Sequence, residues 1–377
     1  MDIGALRGAR IFGNYESATK SSSREAVCNA IKERVDTKNT IKLGVWSQDF
    51  KEQLDAVFGD YTIFPLGAVP KRDSPEECRP ISDHKRSGLN AATNLAPFKH
   101  TLTAYADVAR FLKKGYAMAV ADVRSAFSCL PLNPRLWPHF LFKYYESPTD
   151  EEEVVYMHLH GDFGAASMPG TWYIFFSEVV VPMARAAGVL TVPVAVYVDD
   201  VAAIAPTAAQ ADAAMASFMS WASTLCGINF KRSKIRHATA HGLFLGLWWN
   251  SATLVRTLEE SRLVAYLTML DEFAEASSLS LLQRQVIAGR MHRAVLTLPP
   301  GAACLLASVF ALMAGLLLPW ARKRTTAAER ADYALLANLL RMNLGKGFYC
   351  LDAFQRAVGL SLSVMLQNQT NFAAAVT

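Results

Sequence analysis

The run Val192–Ala205, VPVAVYVDDVAAIA, constrains this chain more than any other stretch. Val194, Val196, Val198 and Val201 are β-branched and apolar, so the run reads as buried strand. Asp199 and Asp200 stand side by side within it. Adjacent strand residues point to opposite faces, so two carboxylates serve one purpose only where the chain turns. Asp is a common turn residue, and a hairpin with DD at its tip is the simplest form of such a turn. Two charges are also costly to bury unless something cationic offsets them. Metal binding at the hairpin tip is the alternative to an ordinary DD turn.

The rest of the chain bounds that choice. Its 377 residues suit two or three subdomains rather than one small core. With 52% hydrophobic and 19% charged residues, the composition is that of an ordered globular protein. Lys and Arg exceed Asp and Glu by 38 − 33 = 5, a mild basicity that permits a polyanionic partner. Six scattered cysteines without a CxxC pair speak against a disulfide framework or thiolate zinc site and fit a reducing compartment. His237 and His241 form an HxxxH pair that could share a helix face, but no third zinc ligand lies nearby. The polar N-terminus shows no targeting signal, and an intracellular location, cytoplasm or nucleus, is expected. Gly301–Trp320 carries no charge and precedes Arg322, Lys323 and Arg324, so it raises a membrane span. Its many small residues fit a buried helix better, and no membrane contact is expected.

Residues 1–60 read as a mostly helical N-terminal extension, with SSSREAVCNAIKERVD supplying Ser caps. From Tyr61, short apolar runs alternate with basic loops. YAMAVADV, Tyr116–Val123, is strand-like and ends in a second buried-looking acid, Asp122. The acidic loop TDEEE leads into the strand-like VVYMHLH. GDFGAASMPGTW then opens a long apolar helix, followed by the DD hairpin and a helix from about 208 to 226. After the basic NFKRSKIRH comes a strand pair around GLFLGLWWN, and beyond Glu259 the chain is helical, broken at Leu298–Gly301 and near Pro319.

If the strands bearing Asp122 and Asp199 are neighbours, their carboxylates meet at one sheet edge. Such acids bind a pair of Mg²⁺ ions about 4 Å apart, which stabilise the attacking and leaving oxygens of phosphoryl transfer. YVDD, Tyr197–Asp200, resembles the signature of reverse transcriptases. VADVRSAFSCLPLNP resembles their first catalytic block, with Phe127 five residues after Asp122. FGAASMPGTW resembles the second block, with Gly164 and Pro169 in register, and RPISDHKRSGLN resembles the fingers motif with a two-residue insertion. FLG at Phe244–Gly246 is similar to the primer-grip hairpin, and LTLPPG, Leu296–Gly301, is similar to DIRS-type tyrosine-recombinase retrotransposons. The resemblance covers residues 61–320, with its blocks in the family's order.

The resemblance implies an α+β right-hand polymerase: fingers and palm over 61–256 with an antiparallel palm sheet, a helical thumb over 257–345, and a tail or truncated connection over 346–377. It implies template-directed DNA synthesis from dNTPs on an RNA or DNA template with a primer. By that resemblance Asp122, Asp199 and Asp200 would be the catalytic acids, and Asp122, Asp199 and the Val123 carbonyl would hold two Mg²⁺ ions, which Mn²⁺ could replace. On the same resemblance Arg79, with Lys71 or Arg72, would clamp phosphates, Phe127 would gate the sugar, and Phe163 and Gly164 would line the nucleotide site. Lys231, Arg232 or Lys234 would protonate pyrophosphate, and Phe244, Leu245 and Gly246 would position the primer end. Arg262, Arg284, Arg290 and Arg293 are thumb candidates for duplex phosphates. Two departures stand out: Asp162 precedes Phe163 where related elements usually carry Pro, and PKRDSPEEC sets acids beside its basic residues. No ribonuclease H acidic cluster is legible, which suggests a fragment or truncated copy. The competing class is a catalytically silent retroelement remnant that only binds nucleic acid.

Overall fold

The computed structural model describes residues 3–70, 78–299, 301–342 and 344–348; Lys71 and Arg72 lie outside them. The acid-bearing segments become neighbouring strands. Ala117–Asp122 pairs antiparallel with Asp200–Ala205, which hairpins back to Val194–Tyr197, and Arg236–Thr239 adds the other edge. Both faces of this four-stranded sheet are covered. Met118, Val120, Ala202 and Ile204 face a core shared with Val108, Phe244 and Leu270. Ala119, Ala121, Val201 and Ala203 face another that holds Trp172, Phe176 and Phe218. Burial from two sides is why these strands read as unbroken apolar runs. The helix Ala208–Cys226 packs across the second face, capped by Thr207 and ended by Gly227 at φ +66°.

A second, five-stranded sheet runs in the order Ala9–Ile11, Tyr61–Ile63, Leu141–Tyr145, Glu153–His158, Thr40–Val45. Helix covers more of the N-terminal sixty residues than strand does. These residues carry helices, including Ser21–Asp36 and Gln48–Phe58, but they also supply both edge strands of this sheet. Three residues are too few to show a period, and an irregularity between Lys42 and Gly44 breaks the alternation of the other strand. A two-stranded ribbon, Leu66–Pro70 with Cys78–Ser82, flanks the segment that held Lys71 and Arg72.

The C-terminal part joins a sheet of His241–Phe244, Leu247–Asn250, Val255–Leu258 and Lys346–Gly347 to the helices Glu260–Glu275, Leu281–Ala294 and Ala327–Met342. Gly301–Trp320 is not one helix: it breaks into Ala302–Leu306, Ala307–Met313 and a turn. Among the described residues no helix is long and apolar enough to cross a membrane. His237 and His241 sit on two different strands, not on one helix face.

Candidate active site

Strand register places Asp122 directly opposite Asp200. Opposed residues of an antiparallel pair share a face, about 5 Å apart at Cβ. That face is the one carrying Met118 and Val120, so the two carboxylates stand where its apolar cover stops. Asp199 occupies the turn itself, and its carbonyl accepts the Val123 N–H at 2.8 Å. The N–H and C=O of one extended residue point to the same side, so the Val123 carbonyl also faces the turn. Val198 adopts φ +53°, an outlier for a β-branched residue. Its carbonyl accepts the Trp172 indole N–H at 2.7 Å, which pins the strained tip to the helix behind it.

Like charges this close favour the protonated forms of Asp199 and Asp200. Burial, then the Asp122 charge, pushes Asp199 above the ordinary carboxylate range. Burial, then the charges of Asp199 and Asp122, pushes Asp200 up to about 6. Two lysines counter this charge. Lys234 Nζ donates to Asp122 Oδ2 at 2.9 Å, and Lys231 Nζ lies 2.5 Å from Oδ1. The hydrogen bond to Asp122 leads the causes that hold Lys234 protonated beyond its usual range. Lys231 is fixed by its backbone, whose N–H donates to the Asp122 carbonyl at 2.9 Å. Arg232 makes no such contact among the described residues, so the three basic candidates reduce to Lys231 and Lys234.

Asp122 Oδ1 is buried yet lacks a properly directed hydrogen bond, despite the nearby Lys231 ammonium. An all-oxygen set in which Asp122 Oδ1 has an ion-pair contact but no directed hydrogen bond fits a hard divalent cation. Among the described residues no three His, Cys, Asp or Glu side chains are placed to hold a metal ion together. Magnesium does not require three, because it is commonly held by one or two carboxylates plus substrate phosphates.

On the nucleotide side, Arg79 lies over the Phe163 ring at 5.5 Å, and Phe163 packs on Phe127 with ring centroids 4.9 Å apart. Phe163 is exposed and Phe127 is buried at the edge of the core, so the Phe127 ring serves packing as well as any gating. Gly164 touches the fingers ribbon: a Cβ there would lie 2.0 Å from the Ser82 carbonyl oxygen. Asn90 clamps the same loop, donating to the Gly164 carbonyl at 2.9 Å and accepting from the Ala166 N–H at 2.8 Å. Asp162, before Phe163, has a structural partner. It is buried against His84 at 2.9 Å, with His158 Nε2 at 3.7 Å, and Arg34 donates to the neighbouring Gly161 carbonyl. The charge of His84 and its hydrogen bond, aided by His158 and Arg34, outweigh burial and hold the Asp162 carboxyl well below its usual range. An acid before FG and a His within the fingers insertion were the available signals, but nothing in the sequence paired them.

Phe244 is buried, while Leu245 and Gly246 form the tip of their hairpin with φ +54° and +74°. Tyr105 links this tip to the acids: its hydroxyl donates to the Leu245 carbonyl, and its ring meets Tyr197 edge-on at 6.4 Å. Among the thumb arginines, Arg284 is unavailable to phosphates. It is fully buried, with Nε and Nη2 donating to both Glu329 oxygens at 2.9 and 3.1 Å. Arg262 pairs with Glu259 beside the Gly246 turn, and Arg290 reaches the Met269 sulfur.

No family model and no curated protein matches the chain. Solved structures do. The foamy viral protease–reverse transcriptase with RNA/DNA hybrid is similar at TM-score 0.63 and 15% identity, covering 91% of this chain and 39% of that one. A dRH form with double-stranded DNA gives 0.62 and 14%, covering 91% and 50%. The protein with double-stranded DNA in a further structure gives 0.60 and 14%, covering 90% and 60%. The chain thus has the right-hand fold of a reverse-transcriptase polymerase and spans about half the length of these neighbours.

Proposed function

We propose that this chain is a reverse transcriptase of retroelement origin, an RNA-directed DNA polymerase that extends a primer with dNTPs. The observation that carries the reading is the strand register that sets Asp122 opposite Asp200, with Asp199 in the adjoining turn. The foamy viral neighbours were solved with DNA or RNA/DNA hybrid, which supports a template–primer duplex as partner. The block order and Leu296–Gly301 favour a DIRS-type element.

Asp122 and Asp199, with the Val123 carbonyl, would hold two Mg²⁺ ions, with Mn²⁺ as a substitute. Bound there, such ions acidify a primer 3′-hydroxyl and neutralise triphosphate charge. The chain's own groups do the rest. Asp200 holds charge beside the pair and balances Lys231 and Lys234. The Lys231 and Lys234 ammoniums, which pair with Asp122, would supply positive charge and a proton to departing pyrophosphate. Arg79 grips phosphate oxygens in the bidentate manner suited to guanidinium. Phe127 and Phe163 floor the sugar, so that a 2′-hydroxyl is excluded by contact. Phe244–Gly246 orient the primer end through the Tyr105 link.

Primer extension on an RNA template with Mg²⁺ or Mn²⁺ tests the proposal. Wild type extends, chelation stops it, Asp122→Asn and Asp199→Asn do not extend, and Phe127→Val gains ribonucleotide use. A wild-type protein that binds template–primer but extends nothing in either metal is the silent remnant instead.

A further inference from the structure

A cleft of about 950 Å³ opens between the helix Ser21–Asp36 and a wall that includes Arg79, Arg124 and Phe163. Its size falls within the range of ligand clefts. Arg124 is two residues beyond Asp122 in the chain, and its N–H donates to the Asn229 carbonyl at 2.7 Å. The next residue, Ser125, turns the backbone at φ +51°. The Arg124 guanidinium reaches the N-terminal helix, where it pairs with Glu33, and both side chains stay exposed.

We infer that Arg124 is a phosphate-binding residue, and that Glu33 occupies its guanidinium as an internal anion until a triphosphate tail or pyrophosphate replaces it. This rests on the polymerase reading. Two guanidiniums, Arg79 and Arg124, line one cleft that also touches the Phe163 ring. A planar guanidinium matches phosphate oxygens bidentately, and a polyphosphate carries more charge than one carboxylate. An exposed ion pair contributes little to stability, so exchanging Glu33 for phosphate costs the fold little. The N-terminal helix thereby sets how readily the cleft accepts polyanions.

Titration calorimetry of the full chain with inorganic tripolyphosphate, without primer or template, tests this directly. Arg124→Ala should weaken binding about tenfold, the scale of one charge-assisted hydrogen bond. Arg124→Lys should restore part of the loss, Glu33→Gln should tighten binding, and the double variant R124A/E33Q should bind like R124A alone. Arg322→Ala, on the distant ribbon with Ser278, should change nothing. In primer extension the same order should appear in the dNTP KM, with kcat moving less. Tripolyphosphate affinity of R124A within about twofold of wild type overturns the inference, even where primers are extended. The expected binding order in a chain that extends no primer keeps the site and sinks the polymerase reading.

Discussion

Two groups of charged side chains, one around Asp122 and one around Asp162, are opposite in electrostatic character. At the palm end, three carboxylates stand against two lysines, Asp122 Oδ1 has no directed hydrogen bond, and Asp200 is pushed up to about 6. Under the fingers, Asp162 is sealed against His84, with His158 and Arg34 adding to it, and its carboxyl is pulled down. The second group satisfies its charge internally and is spent on structure. The first leaves charge over for something outside the chain. Residual electrostatic strain, more than burial alone, separates a reactive site from a structural one.

That contrast can be broken at several points. Asp122→Asn should lower primer-extension rate by roughly 10³-fold or more, with template–primer binding retained, because it removes an acid on which the proposed chemistry depends. Retained extension would show that the palm acids are ordinary turn residues. Asp162→Ala should destabilise the fold by about 3 kcal/mol or more, since it strands His84 in a buried site. The check is the denaturant midpoint, and a shift below about 1 kcal/mol would make the fingers cluster as dispensable as a surface pair. Asp200→Asn should do the reverse and stabilise the chain by about 1–2 kcal/mol at pH 7.5, by relieving repulsion that raised the carboxyl.

Acid should sharpen the distinction. The folded pKa of Asp200 lies above its unfolded value, so its cost to stability is absent below about pH 4 and complete only above about 6. The melting-temperature gap between D200N and wild type should therefore close between pH 7.5 and 4. His158 behaves oppositely. Burial, with the Arg34 charge, keeps it neutral, so the unfolded chain takes up a proton near pH 6.5 that the folded chain refuses. Stability is lost from there downward, and the share from Asp162, complete above about pH 4, is lost as pH falls further. A D200N melting temperature that stays flat from pH 7 to 5 would contradict the His158 account. This is the smallest effect of the set.

Much of the palm was legible in the sequence, because an acid at the end of an unbroken apolar strand is expensive and therefore informative. Asp122, Asp199 and Asp200 stood out for that reason alone, and the blocks around Phe127 and Gly164 gave them company. The fingers cluster was not legible: His84 and Asp162 are 78 residues apart, and each by itself looks like an ordinary loop residue. Arg284 reads as an exposed thumb cation until Glu329 closes on it. Gly301–Trp320 reads as a span or buried helix, yet Trp320 and Leu317 are exposed. Apolar composition does not say whether a segment stays in one piece.

By itself the sequence determined the palm hairpin, the two acid-bearing strands and the order of the blocks, because local periodicity and the cost of buried charge act over a few residues. Tertiary structure alone decided the partners: which lysines reach Asp122, what neutralises Asp162, and where Arg124 finds an anion. A charge's partner is chosen by three-dimensional distance, and distance between remote segments is set only when the whole core packs.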